Sequence, residues 1–263
     1  YKLLTLCFFG IIIKKGDNML ITSLDNDRIK GYIKLKERKY RKKTNTFIVE
    51  GLHSVLEAYK TGSIIELILE KDEVLPFDLP CVYVTNEIIN KISSLETPSN
   101  IMALCKINND NVELGNKILL LDNLQDPGNL GTIIRSAVAF NVDSIVLSPD
   151  CVDVYNPKVL RSTQGMIFHI PIIVRDLFET IDTIKKEEIP VYGTRVEFGE
   201  DVSSLKEKDK VKYALVMGNE GNGVKRELLE KCDKNLFIDM SEKVESLNVS
   251  VAASILMYEL NKF

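Results

Sequence analysis

The sequence has few residues that could bind a metal. Its only two histidines, His53 and His169, lie far apart and near no second plausible ligand, so each is expected to be structural. No two cysteines form a C-x-x-C pair, which argues against a zinc site and a disulfide framework. We therefore expect no metal, and a reducing, cytoplasmic compartment fits the five scattered cysteines: Cys7, Cys81, Cys105, Cys151 and Cys232.

The N-terminal apolar stretch is too short to cross a bilayer. Leu3–Ile13 has 11 residues, whereas a membrane helix needs about 20, and no small-residue cleavage site follows. Polar patterning begins at Met19. We expect residues 1–18 to be an extension outside the functional fold and no membrane partner, with a membrane-associated or packed segment as the alternative.

The chain also lacks an excess of positive charge, since its formal net charge is −4. The distribution of charge is more informative than the total. Nine Lys and Arg residues and one acidic residue, Glu37, lie between Arg28 and Lys43. This cluster is either a solvated helix face or a surface that contacts phosphates.

With 263 residues, of which 45% are hydrophobic, the chain can form two domains. Apolar strands alternate with helices over residues 19–105, which predicts a small α/β domain. The polar segment 106–116 is the candidate linker. The elements predicted here are strands at Phe47–Val49, Ile65–Leu69, Val82–Val84 and Ile101–Cys105, and helices through Val55–Ala58 and at Glu87–Ile92.

The second predicted domain, residues 117–263, opens with the continuous apolar run Ile118–Leu121. Such a run is typical of a parallel strand that is covered on both faces. Strands and helices continue to alternate, so ligands are expected at the carboxyl ends of the strands. The predicted strands are Ile145–Leu147, Ile167–Ile173, Val191–Thr194, Tyr213–Met217 and Leu236–Ile238, and the predicted helices are Asn129–Phe140, Pro157–Thr163, Leu177–Lys185, one from Val224, and Leu247–Leu260.

Three polar turns lie at such strand ends or helix starts. The first, Asp126–Arg135, combines turn residues with a helix that Asn129 could cap, and Arg135 lies off the apolar stripe of that helix. A surface arginine is the alternative for Arg135. Free backbone N–H groups at a helix start would let a ligand approach closely.

The second turn is the glycine-rich segment Gly218–Gly223, which follows a predicted strand. It matches neither the P-loop nor the dinucleotide fingerprint. Because Glu220 would repel a phosphate, a cationic or hydroxyl-bearing ligand suits this loop better. The third turn places Ser246 and Asn248 at the start of an apolar helix, where ordinary capping is the alternative to a role in binding.

Together, the order and spacing of these turns resemble the three motifs of the SpoU family of RNA ribose 2′-O-methyltransferases, in the SPOUT superfamily. The resemblance covers residues 117 to the C-terminus. The N-terminal part, with Ile21–Ser23, Asn26, Ile29–Lys30, Arg38–Arg41 and Phe47–Gly51, resembles the substrate-binding domain of two-domain members, which is similar to RNA-binding ribosomal proteins. The basic cluster then has a reason to contact RNA.

This resemblance implies a deep trefoil knot in a parallel α/β domain, an S-adenosylmethionine site in the knot, and a homodimer whose sites are completed across the interface. Asp239 is a departure, since the family commonly has Ile-Pro-Met where this chain has Ile238-Asp239-Met240. By resemblance, the catalytic residues are Asn129, Arg135, Glu220, Ser246 and Asn248; the cofactor-binding residues are Gly218, Asn219, Gly223, Ile238, Met240 and Leu247; and the RNA-binding residues are Arg28, Lys30, Arg38, Lys39, Arg41 and Lys42.

Methyl transfer to a ribose hydroxyl needs positioning and no metal. An arginine is a poor base because its pKa exceeds about 12, so Arg135 is expected to bind the adjacent phosphate and stabilise the developing alkoxide. Two-domain members mostly modify large-subunit ribosomal RNA, which favours 23S ribosomal RNA over transfer RNA. The rival interpretations are an RNA-binding protein that keeps the fold without catalysis, and a nucleotide-binding enzyme that acts on a small molecule.

Overall fold

The computed structural model describes residues 20–108, 113–196 and 199–262. The expected extension at residues 1–18 lies outside the described residues. Within them the chain forms one sheet of five strands and a second sheet of seven. The domain boundaries 19–105 and 117–263, with their linker, stay predictions, and so does the trefoil knot.

The first sheet has the order β1-β4-β3-β5-β2, and β5 runs antiparallel to both of its neighbours. Asn26 caps the first helix by accepting a hydrogen bond from the backbone N–H of Arg28. The strands are Leu20–Ile21 (β1), Thr46–Glu50 (β2), Ile64–Glu70 (β3), Cys81–Val84 (β4) and Ile101–Lys106 (β5), and the helices are Asp27–Lys34 (α1), Arg38–Thr44 (α2), Leu52–Lys60 (α3) and Asn86–Ile92 (α4).

The second sheet has the order β10-β12-β9-β11-β6-β7-β8, and its paired strands are all parallel. Its strands are Lys117–Leu121 (β6), Ser144–Leu147 (β7), Ile172–Val174 (β8), Val191–Thr194 (β9), Glu200–Asp201 (β10), Tyr213–Met217 (β11) and Lys234–Phe237 (β12). Its helices are Pro127–Ala139 (α5), Pro157–Thr163 (α6), Leu177–Lys186 (α7), Arg226–Lys231 (α8) and Val249–Leu260 (α9).

The interior strand β6 is covered on both faces, as its continuous apolar run predicts. Leu119 and Leu121 pack into the cluster that holds α5 and α9, whereas Ile118 and Leu120 pack into the cluster that holds α7. All four side chains are fully buried. This alternation follows from the two-residue period of a strand. Because β6 and β11 run parallel, the loops that follow them emerge at the same edge of the sheet.

One predicted strand, Ile167–Ile173, is wrong over its first half. Met166–Phe168 forms a 3₁₀ turn, and β8 begins only at Ile172. Gly165 precedes the turn with a φ of +80°, a left-handed conformation that suits glycine. Pro171 precedes β8 and has no N–H to donate to a ladder, so an apolar run that looks continuous is divided into two elements.

The two sheets share one hydrophobic cluster. Phe47 of β2 packs against the rings of Tyr155 and Phe168, with centroids 4.7 and 5.9 Å away. The side chain of His169 also forms a 2.7 Å hydrogen bond with Glu57 of α3. The N-terminal unit is therefore docked on the second sheet through packed rings and a polar contact.

Arg41 belongs to this docking surface, and not to the exposed basic cluster where the sequence places it. Its side chain is 5% exposed and pairs with the Asp153 carboxylate at 2.5 Å. It also donates to the backbone carbonyls of Leu35 and Lys36. A buried charge needs such partners, so Arg41 joins the two units and does not face solvent.

Candidate active site

A cleft of about 770 Å³ opens at the carboxyl ends of β9, β11 and β12. This is the sheet edge at which parallel α/β proteins bind ligands. All six residues predicted to bind the cofactor line it, together with three of the five predicted catalytic residues. These nine are Gly218, Asn219, Gly223, Ile238, Met240 and Leu247, and Glu220, Ser246 and Asn248.

The glycine-rich turn forms one wall of the cleft, and two of its glycines are required by geometry. A Cβ on Gly218 would lie 2.0 Å from the backbone carbon of Gly223, and Gly223 itself has a φ of +67°. Asn219 closes the turn with two backbone hydrogen bonds to Gly223. Its side chain also accepts from the N–H of Gly221, so the turn is rigid before any ligand binds.

A hydrogen-bonded chain of side chains joins the three turns at the mouth of the cleft. The Asn129 amide nitrogen donates to Glu220 Oε1 at 3.1 Å. The Asn248 amide nitrogen in turn donates to Asn129 Oδ1 at 3.0 Å. Asn248 Oδ1 accepts from the backbone N–H of Ser250 at 2.9 Å and so caps α9. Asn248 thus caps α9 and also lines the cleft.

Glu220 is a carboxylate held by donors. Partial burial acts to raise its pKa, but hydrogen bonds from its own backbone N–H, the Asn129 side chain and the N–H groups of Asp126 and Gln125 outweigh burial and lower the pKa. The Asp126 N–H lies 3.1 Å from Oε1. Glu220 is therefore ionised at neutral pH and places a negative charge beside the cleft.

The first helical turn of α5 differs from its expected form. Asp126, not Asn129, is the N-cap, because its carboxylate accepts from the Asn129 N–H at 2.8 Å and Pro127 occupies the first helical position. The capping position is thus filled three residues earlier than predicted. As a result, the Asn129 side chain is free to bond with Glu220 and Asn248.

Arg135 lies on the same helix and does not line the cleft. Its side chain is exposed, and it makes no hydrogen bond or ion pair with the residues that the structure describes. Ser246 does line the cleft, is exposed, and caps no helix. The structure thus brings four of the five predicted catalytic residues together and leaves Arg135 apart.

Sequence reasoning missed an ion pair between a buried carboxylate and a half-exposed lysine behind the glycine-rich turn. Asp122, 2% exposed, follows β6 and accepts from the Lys225 N–H at 3.1 Å, while the Lys225 ammonium lies 3.2 Å from Asp122 Oδ1. The hydrogen bond from the Lys225 ammonium to Asp122 and the negative charge of Asp122 raise the pKa of Lys225. Since Lys225 lies two positions after the turn, this pair ties the turn to the end of β6.

Further cleft residues were also missed: Thr194, Arg195, Val196 and Arg226. The strand Val191–Thr194 was predicted at its observed bounds, so the rule that ligands bind at carboxyl strand ends could have identified the residues that follow it. Asp239, which stands where the family commonly has proline, is exposed next to the cleft residues Ile238 and Met240.

The predicted RNA-binding residues fall into three groups: side chains paired with acidic residues, one buried side chain, and side chains without a described partner. Arg28 pairs with Glu66, and Lys30 and Lys39 pair with acidic residues nearby, Asp25 and Glu37. Arg41 is buried at the docking surface. By contrast, the exposed Arg38 and Lys42 make no side-chain hydrogen bond or ion pair with any residue in the described ranges.

Neither a metal cluster nor a membrane span is found in the described part of the chain. Residues 20–108, 113–196 and 199–262 contain no group of three or more His, Cys, Asp or Glu side chains that could hold a metal ion. Over the same residues, no helix is long and apolar enough to cross a bilayer. The four cysteines in these ranges are free thiols.

The second sheet and its cleft define a parallel α/β domain with a candidate ligand site at the carboxyl strand ends, and the relatives of the chain share this architecture. Residues 116–258 match the SpoU rRNA Methylase family, and residues 26–103 match the MRM3-like substrate binding domain. The chain is 42% identical over 245 residues to the 23S rRNA (guanosine(2553)-2′-O)-methyltransferase RlmP of Bacillus subtilis (strain 168), a match that covers 91% of this chain and 98% of that relative.

Two solved structures share the whole fold. One is an RNA 2′-O ribose methyltransferase, 28% identical, with a TM-score of 0.78 over 92% of this chain and 98% of that one. The other is the AdoMet-bound rRNA methyltransferase of Sinorhizobium meliloti, 27% identical, with a TM-score of 0.79 over 93% and 98%. The chain belongs to the SpoU rRNA methylase family.

Proposed function

We propose that this protein transfers a methyl group from S-adenosylmethionine to a ribose 2′-hydroxyl of 23S ribosomal RNA, at the guanosine that corresponds to the target of the Bacillus subtilis relative. The observation that carries the proposal is the chain of hydrogen bonds from Glu220 through Asn129 to Asn248. It joins the three family motifs at the mouth of one cleft. Ribosomal RNA as substrate implies that the protein acts in the cytoplasm.

The cleft suits S-adenosylmethionine in shape and chemistry. Apolar walls from Met217, Leu236 and Leu256 would contact the adenine. Backbone N–H groups of Ile238, Met240 and Leu247 donate to no residue in the described ranges, so they can bind the adenosine end. The ionised Glu220 at the mouth would favour a cationic ligand. When bound, the sulfonium supplies an electrophilic methyl group.

The residues at the mouth of the cleft would orient the ribose. Asn129 uses one amide hydrogen on Glu220, which leaves its second hydrogen for a ribose or phosphate oxygen. Glu220 and Asn248 lock the orientation of that amide. Holding the hydroxyl in line with the methyl group is the main source of rate in such a transfer.

Arg135 would stabilise charge and not remove a proton. A guanidinium carries a positive charge and five N–H donors and has no acceptor for a proton, so it is a poor base. We infer that Arg135 binds the phosphate next to the target ribose and the alkoxide that develops as the hydroxyl loses its proton. This role requires Arg135 to reach a cleft, and it does not line the cleft of its own chain.

A homodimer would meet this requirement. The helix α9 packs on α5 and exposes apolar side chains, with Val251 47% and Tyr258 50% exposed. Exposed apolar side chains on one helix favour an interface. We infer that two copies associate through this face, so that Arg135 of each acts at the cleft of the other.

The direct test is methyl transfer from labelled S-adenosylmethionine by the purified protein. The expected acceptor is a 23S ribosomal RNA fragment that contains the proposed guanosine, with the label on the 2′-oxygen. Transfer RNA and a metabolite extract serve as rival acceptors. Labelling of either rival in place of the fragment would refute the proposed substrate, and RNA binding without transfer would indicate a non-catalytic protein.

A further inference from the structure

A second cleft, of about 530 Å³, lies where the two sheets meet. One side is formed by α2 and the residue that follows it, and the other by the residues after β7 and β8. Three exposed cations line it: Arg38 and Lys42 from the N-terminal unit, and Arg175 from the methyltransferase domain. We call it the junction cleft. It exists only because the two units are docked.

The junction cleft carries unbalanced positive charge. Among the described residues that line it, only Asp153 is acidic, and this carboxylate is already neutralised by the buried Arg41. The side chains of Arg38, Lys42 and Arg175 form no hydrogen bond or ion pair with the part of the chain that the structure describes. Asp176, next to Arg175, is engaged as the N-cap of α7. Three unpaired cations around one concavity favour a polyanion.

The position of the junction cleft relates it to the methyl-transfer site. Arg175 directly follows β8, and Asn129 lies in the first turn of the helix after β6, so both lie at the carboxyl edge of the same sheet. Since β7 alone separates β6 from β8 and neighbouring strands lie about 4.8 Å apart, the two strand ends are roughly 10 Å apart. A few nucleotides can span that distance.

We propose that the junction cleft binds the phosphate backbone of the RNA strand beside the target nucleotide, and that Arg175 is an RNA-contacting residue. This inference rests on the proposed function. Under this proposal the methyltransferase domain contributes to RNA binding through Arg175. RNA binding at the junction cleft then requires that the two units are docked. Phosphate contacts fix register and carry no sequence information.

The test is the affinity of Arg175→Gln for RNA as a function of salt. The salt slope is the change in the logarithm of the binding constant with the logarithm of the salt concentration. Each lost phosphate contact lowers its magnitude by about 0.7 to 0.9, which corresponds to about fivefold weaker binding at 0.1 M salt. The variant with Arg38→Gln and Lys42→Gln added should bind about 100-fold more weakly. The loss should be equal for the 23S fragment and an unrelated hairpin of the same length.

Lys186→Gln is the matched control, since Lys186 is an exposed cation at the end of α7, which leads to the opposite edge of the sheet. Arg175→Lys keeps the charge and should restore most of the affinity. Binding of S-adenosylhomocysteine, measured by calorimetry, should be unchanged in every variant. If Arg175→Gln folds poorly, Lys42→Gln alone should still lower the affinity and the slope.

The proposal is overturned if Arg175→Gln binds both RNAs with the affinity and salt slope of Lys186→Gln, or if the wild-type protein binds neither RNA. Methyl transfer by the wild-type protein is measured separately. Methyl transfer by a protein whose RNA affinity does not depend on the junction cleft would refute RNA binding at the cleft and leave the proposed function intact. RNA binding that depends on the cleft, without any methyl transfer, would support the cleft and refute the proposed function.

Discussion

Asn129 and Arg135 lie on the same helix, six residues apart, and their side chains are held in opposite ways. Asn129 is fixed between Glu220 and Asn248, whereas Arg135 has no partner among the described residues. The proposed function gives the two residues different roles. Asn129 would orient the ribose through contacts available within one chain, whereas Arg135 would act on the substrate at the cleft of a second subunit.

The largest effect is expected for Arg135→Ala. Loss of a charge that stabilises the developing alkoxide should lower kcat by about 10²–10³-fold. Affinity for S-adenosylmethionine should stay within about twofold of wild type, because Arg135 does not line the cleft. Single-turnover rates and calorimetry measure the two quantities. A variant with most of its activity would remove Arg135 from the chemistry.

A mixing experiment tests where Arg135 acts. Arg135→Ala and Glu220→Ala should each be nearly inactive alone. If Arg135 serves the partner's cleft, a mixed dimer has one site with both residues intact, and mixing should restore a measurable fraction of the activity. Inactive mixtures of confirmed heterodimers would show that Arg135 serves its own chain.

A smaller effect with a different pattern is expected for Asn129→Ala. Loss of the link between Glu220 and Asn248 should misplace the ribose and cost about 10²-fold in rate. Unlike Arg135→Ala, it should also weaken S-adenosylmethionine binding several-fold, since both partners line the cleft. Thr132→Ala on the exposed face of α5 is the control. Equal cofactor affinity in Asn129→Ala and wild type would contradict this division of roles.

Glu220 predicts a dependence of cofactor binding on pH. Its lowered pKa means that the folded site favours the ionised carboxylate. The attraction between Glu220 and the cationic cofactor is therefore complete above the ordinary value of 4.5, and it is lost as pH falls through the lowered pKa. Affinity for S-adenosylmethionine should therefore be constant near neutral pH and fall only below the ordinary value of 4.5, where the carboxylate gains a proton and loses its charge. Glu220→Gln should remove this fall; an unchanged pH profile would disprove the assignment.

The smallest effect concerns the tie behind the glycine-rich turn. Lys225→Gln would leave the buried Asp122 carboxylate without its cation. Because Lys225 is 45% exposed, the loss of stability should be modest, about 1 kcal/mol. Urea unfolding measures it, with Lys208→Gln, an exposed lysine in the turn Glu207–Asp209, as the control. Equal unfolding free energies for both variants would show that the pair does not hold the turn.

Sequence reasoning succeeded where an element is defined by local pattern. The strands Val191–Thr194 and Tyr213–Met217 and the helix Pro157–Thr163 have their predicted bounds, because continuous apolar runs and an Asn-Pro helix start are local signals. The strand predicted at Ile167–Ile173 failed because a 3₁₀ turn can bury the same apolar residues. Periodicity does not distinguish the two.

The charged residues show the limit of local reasoning. Arg41 and Lys42 are adjacent and look alike in the sequence, but one is buried against Asp153, 112 positions away, and the other faces solvent. Arg175 had no local signal at all, since its role depends on the docking of the N-terminal unit. Which cation meets RNA is decided by tertiary contacts that no window of sequence contains.

The most direct test of the proposed function is a map of 2′-O-methylation on total RNA from cells with and without this protein. Loss of a single methyl group is expected, at the guanosine of 23S ribosomal RNA that corresponds to the target of the relative, and wild-type protein but not Arg135→Ala should restore it. An unchanged 23S map, or a methyl group lost from transfer RNA instead, would contradict the account.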